Sequence, residues 1–151
     1  MECGAPHAEI SAEAESLLAE AVPAIVGTVR KGGTAKLTPV WFEYRDGLFW
    51  LNGHRGAHWL AQVERDRSVT LLILDPQDSY RSLHVEGRLV DTSTAGAATH
   101  LDHLSMRYRG RPHAVRAPIQ RVVVRVRPER VRYSPPRAVQ SSAGPTGQGA
   151  G

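Results

Sequence analysis

Cysteine is nearly absent from this sequence: Cys3 stands alone, so no internal disulfide can staple the fold. No apolar run is long enough to span a bilayer, and no basic-then-apolar pattern opens the chain. These two absences predict a cytoplasmic protein without a membrane partner. Lysine-rich blocks and zinc-finger spacings are missing as well. The arginines, among them Arg30, Arg55, Arg65, Arg81, Arg107 and Arg125, are spread along the chain with acidic residues between them. A formal charge of +4 distributed in that way argues against a nucleic-acid partner and for a surface that attracts small phosphorylated anions. Neither a Ser-His-Asp order nor a pair of isolated carboxylates stands out, which fits chemistry carried by a cofactor that the protein positions. No internal repeat points to a solenoid or propeller.

What is present has the size of one domain, since 151 residues of ordinary apolar content support a single modest core. The expected division is a helix and arm over 1–20, a β domain over 21–133 and a disordered tail over 134–151. In the first segment Ser11 caps a short helix with Ala14, Leu17, Leu18 and Ala21 at helical spacing. Strands are expected at 24–30, 34–45 and 48–52, the second carrying Val40, Trp41, Phe42 and Tyr44, with an Asp46-Gly47 tight turn after it. A short helix over 58–65 places Trp59, Leu60 and Val63 on its apolar side. Further strands follow at 69–74 and 81–91, the latter pointing His84, Glu86 and Arg88 outward.

From 94 to 109 the period becomes helical, closed by Gly110, with His100, His103 and Arg107 beside the apolar stripe and therefore expected at solvent or at a partner subunit. The run 120–127 alternates Val122, Val124 and Val126 inward with Arg121, Arg125 and Arg127 outward, and Pro128 is expected to end it before a short extension at 131–133. The tail is rich in Pro, Gly, Ser and Gln and offers almost nothing to bury. Six strands with short flanking helices predict a mainly β fold, a closed or split barrel that removes exposed edges.

Several local patterns then become specific in their order. Thr38-Pro39-Val40-Trp41-Phe42 precedes the Asp-Gly turn, Asn52-Gly53-His54-Arg55-Gly56 follows the third strand, and Leu74-Asp75-Pro76 ends the fourth. Tyr80-Arg81, Val85-Glu86-Gly87-Arg88, the helix from His100-Leu101-Asp102 to Arg107-Tyr108, and the Val124-to-Val131 ending continue the series. Over 21–133 the sequence resembles the pyridoxamine-phosphate-oxidase-like family, and within it the branch of enzymes that use the deazaflavin coenzyme F-420. The resemblance implies a six-stranded split β-barrel of the FMN-binding kind. It also implies a homodimer with two equivalent cofactor sites, each built by both subunits, and hydride transfer to or from a small organic substrate.

A planar phosphorylated cofactor needs anion donors at one end and apolar or aromatic surface at the other. The segment with Asn52, His54, Arg55, Gly56 and His58 offers the first, Arg55 as a bidentate fork and Gly53 and Gly56 as points of close backbone approach. The resemblance places an isoalloxazine-type ring along the strand that here carries Thr38, Pro39, Val40 and Trp41. Relatives usually continue past the glycine with arginine and lysine, where this sequence has Ala57-His58-Trp59. That difference leaves FMN in place of F-420, or a non-catalytic protein that binds haem or another cofactor, as alternatives. Trp59 either stacks on the cofactor or packs its helix. Tyr80 and Arg81 are expected at the substrate mouth, Tyr108 in the core. His54 and His58 share the spacing of a helical metal pair without an acidic or thiol partner nearby, so no metal is expected.

Overall fold

The computed structural model describes residues 7–114 and 119–137. Elements run in the order α1 (Ala12–Leu18), β1 (Ala24–Val29), β2 (Ala35–Val40), β3 (Phe42–Arg45), β4 (Leu48–His54), α2 (His58–Asp66), β5 (Ser68–Asp75), β6 (Asp78–Ser93), α3 (Ala97–Arg109) and β7 (Arg121–Ser134). Ser11 caps α1 as expected, its hydroxyl accepting from the Ala14 N–H at 3.2 Å, and the helix buries Ala14, Leu17 and Leu18. None of the described helices is long and apolar enough to cross a membrane. The tail expected to be disordered lies outside the described residues beyond Arg137.

All seven strands form one antiparallel sheet in the order β2-β1-β5-β6-β7-β4-β3. The count differs from the six expected because the long strand over 34–45 is two strands separated by Trp41. Its first half pairs with β1, with Ala24 opposite Val40, and its second half pairs with β4, with Phe42 opposite Leu51. The two edges of the sheet are thus consecutive in the chain, and the sheet curls into a split barrel around them. Asp46 and Gly47, both at positive φ, make the tight turn between β3 and β4 that the Asp-Gly pair predicts.

Breaking a strand leaves backbone groups to satisfy, and Tyr108 satisfies them. Its hydroxyl accepts from the Phe42 N–H at 3.3 Å and donates to the Val22 carbonyl at 2.9 Å. Its ring stacks on Trp41 with centroids 5.1 Å apart and planes 4° from parallel. Tyr108, expected in the core, is instead half-buried outside it and clamps the strand break.

Pro128 does not end the last strand as expected. β7 runs through it to Ser134, and the register against β6 slips there: Gly87 faces Pro128 while Glu86 faces Arg130. The unpaired Glu129 makes a bulge, a place in a sheet where a missing proline N–H is tolerated. The barrel interior holds Val26, Phe42, Phe49, Leu71, Val85 and Val124, all without solvent exposure. On the outer side, α3 packs across β7 and β4.

Tyr108→Phe leaves the Phe42 N–H without its acceptor, a loss of about 1–3 kcal/mol for a buried donor. In a domain of this size the thermal midpoint is expected to fall by about 2–4 °C per kcal/mol. Thermal unfolding followed by circular dichroism checks this; an unchanged midpoint would remove Tyr108 from the closure of the barrel.

Candidate functional site

The strand break opens one wall of a cavity of about 230 Å³. Thr38, Pro39, Val40 and Trp41 form that wall, and Asn52, Gly53 and His54 at the end of β4 form another. Trp59 of α2, Leu101 and Leu104 of α3, and Arg121 at the start of β7 complete it. Seven of the ten residues expected to hold a cofactor are brought together here: Thr38, Pro39, Val40, Trp41, Asn52, His54 and Trp59.

Arg55, Gly56 and His58 do not line the cavity. Arg55, read as the phosphate fork, is exposed and pairs with Glu64 at 2.5 Å. Gly56 turns the chain at φ 98°, and His58 begins α2 at the surface. Gly53 has a different task from the one expected. A Cβ there would stand 2.7 Å from Trp59 Cζ2, so the missing side chain makes room for the buried indole. Trp59 consequently both packs its helix and faces the cavity.

Tyr80 and Arg81 also lie apart from this cavity. Arg81 is engaged with Glu20 at 2.6 Å and Asp75 at 3.1 Å, and the Arg137 guanidinium lies over the exposed Tyr80 ring at 5.1 Å. Among the described residues, no group of three or more His, Cys, Asp or Glu side chains is placed to hold a metal ion.

Arg121 was hidden in the sequence as one outward residue of an alternating strand. It is half-buried, and no carboxylate lies within ion-pair distance of it among the described residues. Burial pushes its guanidinium below the usual arginine value, though it stays charged. Its Nε donates to Asn52 Oδ1 at 2.8 Å. Asn52 in turn donates from Nδ2 to the Ala97 carbonyl at 2.9 Å and toward His100 Nδ1 at 3.1 Å.

His100 therefore is not at solvent, as its place beside the apolar stripe suggested, but buried on the sheet-facing side of α3. Its Nε2 faces Glu43 Oε1 at 3.3 Å, somewhat off the line of an ideal hydrogen bond. The other Glu43 oxygen meets the exposed His103 at 2.9 Å. His100, aided by Arg45 and His103, holds the Glu43 carboxyl below its usual range against the opposing effect of burial. Glu43 gave no signal in the sequence, being one acidic residue in a short strand. The observation that a buried polar atom, Thr38 Oγ1, has no partner in the cavity wall adds a further group able to meet a ligand.

Apolar and aromatic surface on one side and an unneutralised cation on the other are the two ends that a phosphorylated ring cofactor requires. Comparison with known proteins identifies the family. The family model described as pyridoxamine 5'-phosphate oxidase matches residues 10–135. No curated protein matches the sequence significantly. Among solved structures, an F420 reductase is 24% identical, covering 78% of this chain and 94% of its own, with a TM-score of 0.71. A conserved hypothetical protein from Mycobacterium tuberculosis is 21% identical over 100% of this chain and 98% of its own, TM-score 0.70. An FAD-binding protein from Mesorhizobium loti is 17% identical, covering 81% and 92%, TM-score 0.57. The family match takes in every strand of the split barrel and every residue that lines the cavity, and this chain belongs to the pyridoxamine 5'-phosphate oxidase family.

Proposed function

We propose that this protein is an oxidoreductase that holds coenzyme F-420 in the cavity beside Trp41 and passes hydride to a small organic substrate. The observation that carries the reading is the meeting, in one cavity, of the Pro39-to-Trp41 wall with the half-buried cation Arg121. When bound, the deazaflavin supplies the hydride chemistry. Pro39, Val40 and Trp41 would lie against its ring, while Trp59, Leu101 and Leu104 keep water from that side. Arg121 would face its negative end. The F420 reductase among the structural neighbours supports this choice of cofactor.

A volume of about 230 Å³ falls below the roughly 300–1,000 Å³ of sites that enclose a whole ligand. That shortfall supports a homodimer whose second subunit completes each site. Leu37 at 69% exposure, on β2 beside Thr38 of the cavity wall, supplies apolar surface for such a contact. Sedimentation is expected to give a dimer, and a monomer at micromolar concentration would remove the composite site.

A second reading has its own support. Ala57 and Trp59 are buried and Arg55 is already paired with Glu64, so the loop after β4 presents few cations to a phosphate. Under that reading the same scaffold takes FMN, or carries haem or another cofactor without turnover. Titrating the purified protein in parallel with F-420, FMN and haem is expected to show saturable micromolar binding of F-420. Binding of FMN alone would favour the flavin enzyme, and binding of haem alone the carrier.

Trp41→Leu is expected to weaken binding of F-420 by about 3–10-fold, the worth of one aromatic stack. The same loss is expected for the deazaflavin chromophore without its phosphate. Fluorescence titration measures both; equal affinity of variant and wild type would move the ring away from Trp41.

A further inference from the structure

Between the exposed His103 and the cavity runs an unbroken series of polar contacts: His103, Glu43, His100, Asn52, Arg121. Glu43 and His100 are 7% and 8% exposed, and neither lines the cavity. A carboxylate and an imidazole so placed are costly to bury and are kept only if each has partners.

The donors and acceptors in this series leave one consistent arrangement. The Ala97 carbonyl can only accept and the Arg121 guanidinium can only donate, so the Asn52 amide has Nδ2 toward Ala97 and Oδ1 toward Arg121. Because Nδ2 also points at His100 Nδ1, that ring nitrogen must be the acceptor, and the ring proton sits on Nε2. Nε2 then carries its proton on the side of Glu43, 3.3 Å from Oε1, a charge contact without the alignment of a hydrogen bond. Carboxylate fixes tautomer, tautomer fixes amide, and amide fixes the guanidinium through Nε. No protein partner is recorded for Nη1 of Arg121 among the described residues, whereas Arg55 is spent on Glu64.

We infer that Arg121 is the residue that binds the phosphate-type oxyanion of the cavity's ligand, and that Glu43 and His100 are positioning residues which hold it in place through Asn52. The identity of that ligand rests on the cofactor reading above; the anion site does not. Without His100, Asn52 keeps the Ala97 carbonyl but loses the second of its two acceptors, the amide is held less firmly, and the guanidinium it orients becomes a less prearranged donor to a phosphate.

The test uses the full chain and two probes. Inorganic pyrophosphate is titrated while the arginine Nε–H resonances are followed by NMR, the Arg121 signal being identified by its absence from Arg121→Lys. It is expected to shift saturably, with the Arg55 signal unmoved. In parallel, affinities for F-420 and for its phosphate-free chromophore are compared. Arg121→Gln and His100→Leu are each expected to weaken F-420 about tenfold, the loss of one charge-assisted hydrogen bond. Both are expected to leave the phosphate-free chromophore unchanged. His100→Gln, which retains an acceptor for Asn52, is expected to recover most of that loss.

Equal weakening of both chromophores in His100→Leu would mean a merely structural role and overturns the positioning proposal. A pyrophosphate response at Arg55, or at no arginine of the cavity, overturns the anion site. If Arg121→Gln fails to fold, the wild-type NMR titration decides alone. Wild-type protein that shifts Arg121 with pyrophosphate yet takes no F-420 sinks the cofactor reading and leaves this one standing. F-420 binding with an unmoved Arg121 signal does the reverse.

Discussion

The hydroxyl of Tyr108 and the strand break at Trp41 are the constraint on which the rest depends. The extended run after β1 pairs with β1 over its first half and with β4 over its second, so at Trp41 the chain passes from one edge of the sheet to the other. At the handover the ladder hydrogen bonds stop, and an unpaired N–H would be costly. Tyr108 reaches in from α3 to supply the partner, and its ring lies flat on Trp41. The same event that closes the barrel therefore opens the cavity and sets Trp41 at its rim. Helix α3 brings Leu101 and Leu104 to the opposite wall as a consequence.

Polarity is distributed in the reverse sense from a simple barrel. The inner face is packed with valine, leucine and phenylalanine, while the buried charges lie outside it, between α3 and the sheet. Glu43 sits on the short strand just past the break, so its place under α3 follows from the same closure. Asn52 is the best-held group of that layer, with a partner of matching character on both its amide nitrogen and its amide oxygen.

Much of this was readable in the residues. Strand-forming residues between turns found β1 and β4, a continuous apolar run found β5, alternation found most of β6 and β7, and Ser11, Asp46-Gly47 and Gly110 marked a cap, a turn and a helix end where they occur. The wall from Thr38 to Trp41 followed from strand position and family resemblance together. Three things were not readable, for identifiable reasons. Whether a twelve-residue extended run is one strand or two depends on its neighbours, and a sequence does not display them. Pro128 stops a strand unless a bulge receives it, and the bulge is a property of the pairing with β6. Arg121, Glu43 and His100 become a series only because β7, β3 and α3 converge, though each alone reads as an ordinary surface residue.

Gly53 and Trp59 carry a consequence for how this site can vary. The indole occupies the space where a side chain at position 53 would begin, so neither residue can change freely while the other stays. A side chain at 53 collides with the ring, and a cation at 59 abandons a buried pocket beside a bare backbone. A side chain at 53 is therefore admitted only once the indole has gone, whereas exchanging the indole for a basic residue leaves unfilled space beside Gly53. The cavity's chemistry is thereby fastened to its packing, and the path of least resistance for acquiring charge is the one already taken, on the neighbouring strand.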